Sequence, residues 1–137
     1  MAQAANRREG GSAGRWIVSQ YDFAVQGGAV GNIGLGLNLA TGETIVRSFA
    51  EVLTSPASAG AATLGVQANA TDDIVAATVV SGAPWSTTGY KAGVSDGLVA
   101  NFKKCTAARE VVMVVGVAAL TAGKVNIYLE IINNAVA

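Results

Sequence analysis

Alternation of apolar and polar residues with a period of two occurs in two segments of the chain. Val30 to Leu39 shows it most clearly, because its isoleucine and leucines fall on one face while glycines and an asparagine fall on the other. Lys124 to Ile132 alternates in the same way, with Tyr128 on its polar face. Successive side chains of a β-strand point to opposite faces, so both segments are predicted to be strands.

Several other segments are rich in Val, Ile, Thr and aromatic residues and are separated by Gly, Asn, Ser and Asp. The further predicted strands are Trp16 to Val25 (one or two strands), Thr44 to Thr54, Ala62 to Gln67, Leu98 to Cys105 and Glu110 to Ala119. Thr44 to Thr54 also fits a helical spacing at Phe49 and Leu53. Many short strands punctuated by turn residues are typical of a β-sandwich or barrel.

Asn69 to Val80 is the most helix-like segment. Thr71 or Asp72 can cap a helix there, and Asp73 would lie in its first turn, where the helix dipole favours negative charge. Valine and isoleucine dominate the rest, so at most one short helix is expected. Loops or turns are expected at Ser55 to Gly60, at Ser81 to Gly89 and, as a tight hairpin-type turn between the last two strands, at Leu120 to Gly123.

The first fourteen residues differ from the rest of the chain. They are polar and of low complexity, contain three glycines, and have no apolar segment of the kind a signal peptide needs. We expect residues 1–14 to form a flexible N-terminal arm and residues 15–137 to form one domain, which suits a length of 137 residues. The predicted fold is an all-β, single-domain antiparallel sandwich.

The composition narrows the class of partner. Charged residues make up 13% of the chain, about half the usual share, and the formal net charge is zero. The chain therefore offers no overall electrostatic attraction to nucleic acid or to an anionic membrane, and its apolar runs are too short to span a bilayer. A surface with so few charges favours permanent contact with other protein.

Residues that carry chemistry are scarce. The chain has no histidine, which removes the commonest general base and metal ligand, and Cys105 is its one cysteine. Lys103 and Lys104 could lower the pKa of that thiol, but a small packed residue is the simpler interpretation. The adjacent carboxylates Asp72 and Asp73 are better explained as caps than as a cation site. We therefore expect no enzyme activity, no cofactor and no metal.

Two other patterns suggest binding only superficially. The glycine-rich segment Gly31 to Gly36 lacks the Lys-Ser/Thr of a phosphate-binding loop and is better explained as a strand. The basic clusters, one formed by Arg7, Arg8 and Arg15 and the other by Lys103, Lys104 and Arg109, are not interleaved with aromatic residues. Nucleic-acid binding is thus weakly supported, and docking of the first cluster on an acidic groove of a partner protein explains it better.

Three phrases of the sequence together resemble a known family. Tyr21 to Val25 precedes Gly27-Gly28-Ala29, Ser81 to Gly89 follows the helix-like segment, and Val117 to Lys124 leads into Tyr128. This pattern is similar to the capsid decoration (cement) proteins of tailed bacteriophages, and the resemblance covers most of residues 16–132.

The resemblance implies a jelly-roll-like sandwich that binds the outer capsid surface of a virion as a homotrimer and bridges major capsid proteins, after synthesis in the host cytoplasm. On physical grounds we expect Arg7, Arg8, Arg15 and Trp16 to contact the capsid. Trp85 and Tyr90 are candidate oligomer or interface anchors, and Trp85 is alternatively a core residue.

Two alternatives remain open at this point. The chain could be another virion component, such as a head fibre base, a tail-tube subunit or a receptor-binding module. It could also be a carbohydrate-binding β module, in which Tyr21, Trp85 and Tyr90 would stack on sugars.

Overall fold

The computed structural model describes residues 15–133, without the side chain of Asn133, and within them it contains nine β-strands and one α-helix. The strands are β1 (Arg15–Asp22), β2 (Gly31–Leu39), β3 (Glu43–Ser58), β4 (Thr63–Gln67), β5 (Val75–Val79), β6 (Gly89–Asp96), β7 (Lys103–Lys104), β8 (Arg109–Gly116) and β9 (Leu120–Asn133). Helix α1 is Phe23–Gln26, and a single 3-10 turn spans Val99–Asn101.

The strands form two antiparallel sheets. The front sheet has the order β1-β9-β3-β6, with the short β7 also paired to β3, and the back sheet has the order β2-β8-β4-β5. The pairs are nested along the chain: β4 pairs with β5, β3 with β6, β2 with β8 and β1 with β9. This nesting is jelly-roll-like, and the prediction of an all-β antiparallel sandwich is confirmed.

The core lies between the two sheets and is built from the alternating apolar positions. In β9, one face is completely buried through Val125, Ile127, Leu129 and Ile131. The facing residues of the back sheet include Leu64 and Val66 of β4 and Val111, Met113 and Val115 of β8. Each such side chain contributes about 1.5–3 kcal/mol when fully buried. The period-two pattern in β2 and β9 therefore identified core faces correctly.

The predicted helix at Asn69 to Val80 is wrong. The segment forms a turn followed by β5, and the carboxylate of Asp73 accepts the backbone amides of Ala68, Asn69 and Ala70. Aspartate side chains offer the backbone this alternative to a helix, and the β-branched residues that follow suit a strand. The helix instead lies at Phe23–Gln26, where the side chain of Asp22 accepts the amide of Ala24.

The predicted hairpin at Leu120 to Gly123 is also wrong. These residues belong to β9, the connection from β8 is at residues 117–119, and β8 and β9 lie in different sheets. Gly123 marks a close approach rather than a turn, because a Cβ at this position would lie 3.1 Å from the Cα of Pro56 in β3.

Three further boundaries differ from the prediction. The expected loop at Ser55 to Gly60 is occupied up to Ser58 by β3, which pairs there with β9. Thr44 to Thr54 is wholly strand, so its helical alternative is wrong. Leu98 to Cys105 contains only the 3-10 turn and β7, because Asp96 accepts the Leu98 amide and the Asn101 side chain and so bends the chain.

Candidate interaction surface

The outer face of the front sheet carries a row of apolar side chains across all four of its long strands. Strand register places Val18 of β1 beside Tyr128 of β9, Tyr128 beside Phe49 of β3, and Phe49 beside Ala92 of β6. These positions alternate with the buried ones, so their side chains point away from the core. The nested topology thus brings together residues that are far apart in sequence.

Aromatic rings surround this row and contact one another. The Phe49 ring stacks on Tyr128 at 4.7 Å between centroids and meets Trp16 and Tyr90 edge-on at 5.4 and 5.9 Å. Such pairs contribute about 0.5–1.5 kcal/mol each beyond the area they bury. We call Trp16, Val18, Phe49, Tyr90 and Tyr128 the aromatic face; it holds four of the eight aromatic residues of the chain.

Polar side chains on both sides of the row are paired with each other. Arg47 and Glu130 form an ion pair at 3.3 Å, and the Gln20 amide donates to Asn126 at 2.8 Å. The Tyr128 hydroxyl donates to Glu51 at 3.1 Å. Partial burial and this hydrogen bond raise the pKa of Tyr128 above its ordinary value, so the phenol stays neutral. These groups already have partners within the chain, which leaves an apolar centre with a polar rim.

The exposure of the aromatic face is high for such large side chains. Trp16 is 48% exposed, Val18 53% and Tyr90 68%. A contiguous apolar surface rimmed by polar groups is typical of protein–protein interaction sites, in which aromatic residues are enriched. The titratable groups beside the face, Arg47, Glu130 and Glu51, are engaged within the chain, so its exposed centre suits contact with another protein.

Comparison with known proteins gives matches at the level of the fold. No protein family model matches the chain, and no curated protein matches it. Three solved chains do. One, in the acidic stable capsid structure of Helicobacter pylori bacteriophage KHP30, has a TM-score of 0.61 and 15% identity, and the match covers 88% of both chains. The chain shares its fold with chains of phage capsid structures.

The other two matches extend this likeness to further phages. In the capsid of Ralstonia phage GP4, a chain with 17% identity and a TM-score of 0.60 matches over 98% of this chain and 92% of its own length. In the cyanophage Pam1 capsid asymmetric unit, a chain with 16% identity and a TM-score of 0.62 matches over 96% and 94%. At these identities the likeness concerns the fold.

The residues that we expected to contact a partner have different positions in the fold. Arg7 and Arg8 lie outside the described residues. Arg15 begins β1, and its guanidinium is bound at 2.7 Å to the buried carboxylate of Glu43 while remaining about half exposed. Burial alone would raise the pKa of Glu43, but the Ala40 amide and Arg15 outweigh it and hold that pKa below its ordinary value. Trp16 lies on the aromatic face.

Trp85 and Tyr21 lie in the core. Both are fully buried, and the Trp85 Nε1–H donates to the Leu64 carbonyl oxygen at 2.8 Å. Of the two interpretations of Trp85, core residue or interface anchor, its position within this chain matches the core residue. The proposed carbohydrate-stacking set of Tyr21, Trp85 and Tyr90 is wrong as a site, because only Tyr90 reaches the surface.

Sequence reasoning missed three members of the aromatic face. Val18, Phe49 and Tyr128 lie on different strands, and only the register of β1, β9 and β3 brings them together. One signal was available: an aromatic residue on the otherwise polar face of a terminal strand, as at Tyr128, indicates an exposed contact position.

The remaining candidate residues have structural roles. Cys105 is buried, and burial together with the nearby Asp73 and Glu43 carboxylates raises the pKa of its thiol, which contradicts an activated thiolate. Asp72 and Asp73 both accept backbone amides. Among residues 15–133 no cluster of three metal-ligating side chains occurs, and no helix there is long and apolar enough to cross a membrane.

Proposed function

We propose that the protein is a non-enzymatic decoration (cement) protein, which binds the outer surface of a phage capsid as a homotrimer and bridges major capsid proteins. The observation that carries this proposal is the shared fold with chains from the capsid structures of three phages, over 88–98% of this chain. The resemblance of its sequence phrases to decoration proteins supports the finer assignment.

The surface chemistry supports a permanent place in an assembly. A neutral chain with 13% charged residues has little electrostatic repulsion between copies, and it would associate readily. The exposed centre of the aromatic face would be covered by a partner, while its rim of paired charges tolerates water. Edge strands at both ends of each sheet would also be protected by assembly.

Cementing follows from mass action. A protein that binds the assembled lattice and not its separate subunits stabilises the lattice by RT ln(1 + [L]/Kd) per site. Three linked copies strengthen each contact further, because once one copy is bound the others are held at high effective concentration. No catalytic residue is needed for this function.

We assign the contacts as follows. Residues 1–14 would act as an arm, with Arg7 and Arg8 on the capsid, and residues 15–137 as the sandwich domain. Arg15 and Trp16 would contact the capsid where β1 begins. Tyr90 would anchor the oligomer. Trp85, buried in the core, would hold the loop that leads into β6 and so support the position of Tyr90.

The test has two parts. Light scattering after size exclusion should give three times the 13.7 kDa chain mass. Cryo-electron microscopy of the native particle should then show this sandwich on the outside of the capsid, at local three-fold positions between major capsid proteins. Six-membered rings in the tail, or density confined to fibres, would contradict the proposal in favour of another virion component.

A further inference from the structure

A groove runs between the last strand of the back sheet and the last strand of the front sheet. Its volume is about 540 Å³, within the range of binding pockets, and β5 and β6 form its walls together with Ala83 and Pro84 of the preceding loop. Most lining residues are small and apolar, such as Ala76 and Ala92. The groove is therefore shaped for a chain segment with small side chains.

Both walls of the groove are edge strands. β5 ends the back sheet and β6 ends the front sheet, so within the described residues neither has a strand partner on its outer side. One backbone hydrogen bond, from the Val94 amide to the Ile74 carbonyl oxygen at 2.8 Å, joins the two sheets at one end of the groove. Beyond it, unpaired backbone groups are available to an added extended segment.

We propose that this groove binds residues 1–14 of a second copy of the chain; the inference rests on the homotrimer proposed above. A cyclic trimer needs two different surfaces on each copy, one meeting the other on the next copy. The segment enters β1 at Arg15, and β1 and β6 are the opposite edges of the front sheet. The exit of the segment and the groove are thus two such surfaces.

The length of the segment permits the exchange. Fourteen extended residues span up to about 46 Å, whereas the three strand spacings from β1 to β6 amount to about 14 Å. To reach the groove of its own copy, the segment would have to cross the full width of one of the two sheets. A neighbouring copy whose β5–β6 side faces the β1 edge requires no such crossing.

Composition fits the same occupant. Eight of the fourteen residues are Ala, Gly or Ser, which suits a groove walled by alanine and valine. Glu9 is the only acidic residue of the segment. Among residues 15–133, Lys91 is the only charged residue that lines the groove. If Glu9 faces Lys91 in an extended segment, Arg7 lies on the same side as Glu9, and Arg8 points to the opposite side, towards a capsid surface. Of the two arginines of the segment that are assigned to the capsid, only Arg8 keeps that role in the exchange.

Disulfide trapping tests the occupant directly. The double variant Glu9→Cys with Lys91→Cys, oxidised in the full-length protein, should give covalent dimers and trimers on non-reducing electrophoresis. Native Cys105 is buried and is present in both the test variant and the control variant, so it does not account for a difference between them. The matched control is Glu9→Cys with Lys104→Cys, whose second cysteine lies on β7, does not line the groove and should give no ladder.

Each other outcome has a definite meaning. A bridge within one chain, or no bridge in a protein that is still trimeric, would overturn the exchange but leave the proposed function intact. A ladder that stops at two chains would support docking of the segment while contradicting the homotrimer.

Discussion

At the scale of single residues, Asp73 shows how a buried carboxylate can fix the backbone before a strand. Its two oxygens accept three amides, from Ala68, Asn69 and Ala70, each at 2.8 Å. Asp73→Asn loses the charge and turns a donor towards these amides. We expect the free energy of unfolding to fall by about 2–3 kcal/mol, measured by urea denaturation.

The neighbouring carboxylate provides the control for this prediction. Asp72 accepts one amide, from Ala77 at 3.0 Å, and has a φ of 62°, which asparagine tolerates well. Asp72→Asn should therefore cost less than about 1 kcal/mol. If both variants lose the same free energy of unfolding, the three amide contacts of Asp73 contribute no more to stability than the single contact of Asp72.

Glu43 gives a prediction about pH. The Ala40 amide and the Arg15 guanidinium hold the pKa of Glu43 below the ordinary value of 4.5, despite its burial. A carboxyl group with a depressed folded-state pKa contributes stability that is fully present above the unfolded value and is lost as the pH falls through the folded value. Glu43→Gln should thus lower the free energy of unfolding at pH 7. Below pH 4.5 the free energies of unfolding of the variant and the wild-type protein should become more similar.

Denaturant titrations at pH 7 and at about pH 3 measure this narrowing. The wild-type protein should lose more stability between the two pH values than Glu43→Gln does. Parallel losses would mean that the Arg15–Glu43 pair at 2.7 Å does not couple folding to protonation.

At the scale of elements, the pairing of β3 with β6 depends on a close approach at Gly93. A Cβ there would overlap the Ser48 hydroxyl and lie 2.5 Å from the Ser48 carbonyl oxygen. Backbone of the central strand cannot yield easily, so Gly93→Ala should lower the free energy of unfolding by about 3 kcal/mol or more. Gly82→Ala is the control, because a Cβ at position 82 would lie 3.7 Å from its nearest neighbouring atom. Its free energy of unfolding, measured in the same way, should change little.

The same elements show where sequence reasoning succeeds and where it stops. β2 and β9 alternate strictly, so their core faces could be predicted from residue order alone. β6 was missed because its sequence, GYKAGVSD, is small and polar, and its strand conformation depends on pairing with β3. The Leu120–Gly123 segment carries turn chemistry, yet the pairing of β9 with β3 overrides it.

The candidate surface was predictable only in part, for a related reason. Trp16 and Tyr90 stand out as exposed aromatic candidates in their segments. Their relation to Phe49 and Tyr128 depends on long-range register, which local periodicity does not contain. The nested order of the strands is thus the information that the sequence pattern lacked.

At the scale of the whole molecule, the nested sheets separate two kinds of surface. The outer front sheet carries the aromatic face, with its charges already paired. The β5–β6 side carries a groove whose strand edges have no partner strand among residues 15–133. Tyr90 belongs to both, because it contacts Phe49 and also lines the groove. Contacts on these two surfaces would therefore be coupled through one side chain.

A charge placed in the centre of the aromatic face tests its role in assembly. Val18 lies in the central row and is 53% exposed, so Val18→Lys should fold normally while placing an unpaired ammonium in the contact. We expect the affinity for the capsid, or for another copy if copies meet there, to fall about tenfold or more. A tenfold loss corresponds to a desolvation cost of about 1.4 kcal/mol. Val99→Lys, at a valine that is 80% exposed in the 3-10 turn, is the control with the same chemical change. A Val18→Lys protein that matches Val99→Lys in melting temperature, mass and capsid occupancy would show that the aromatic face binds no partner.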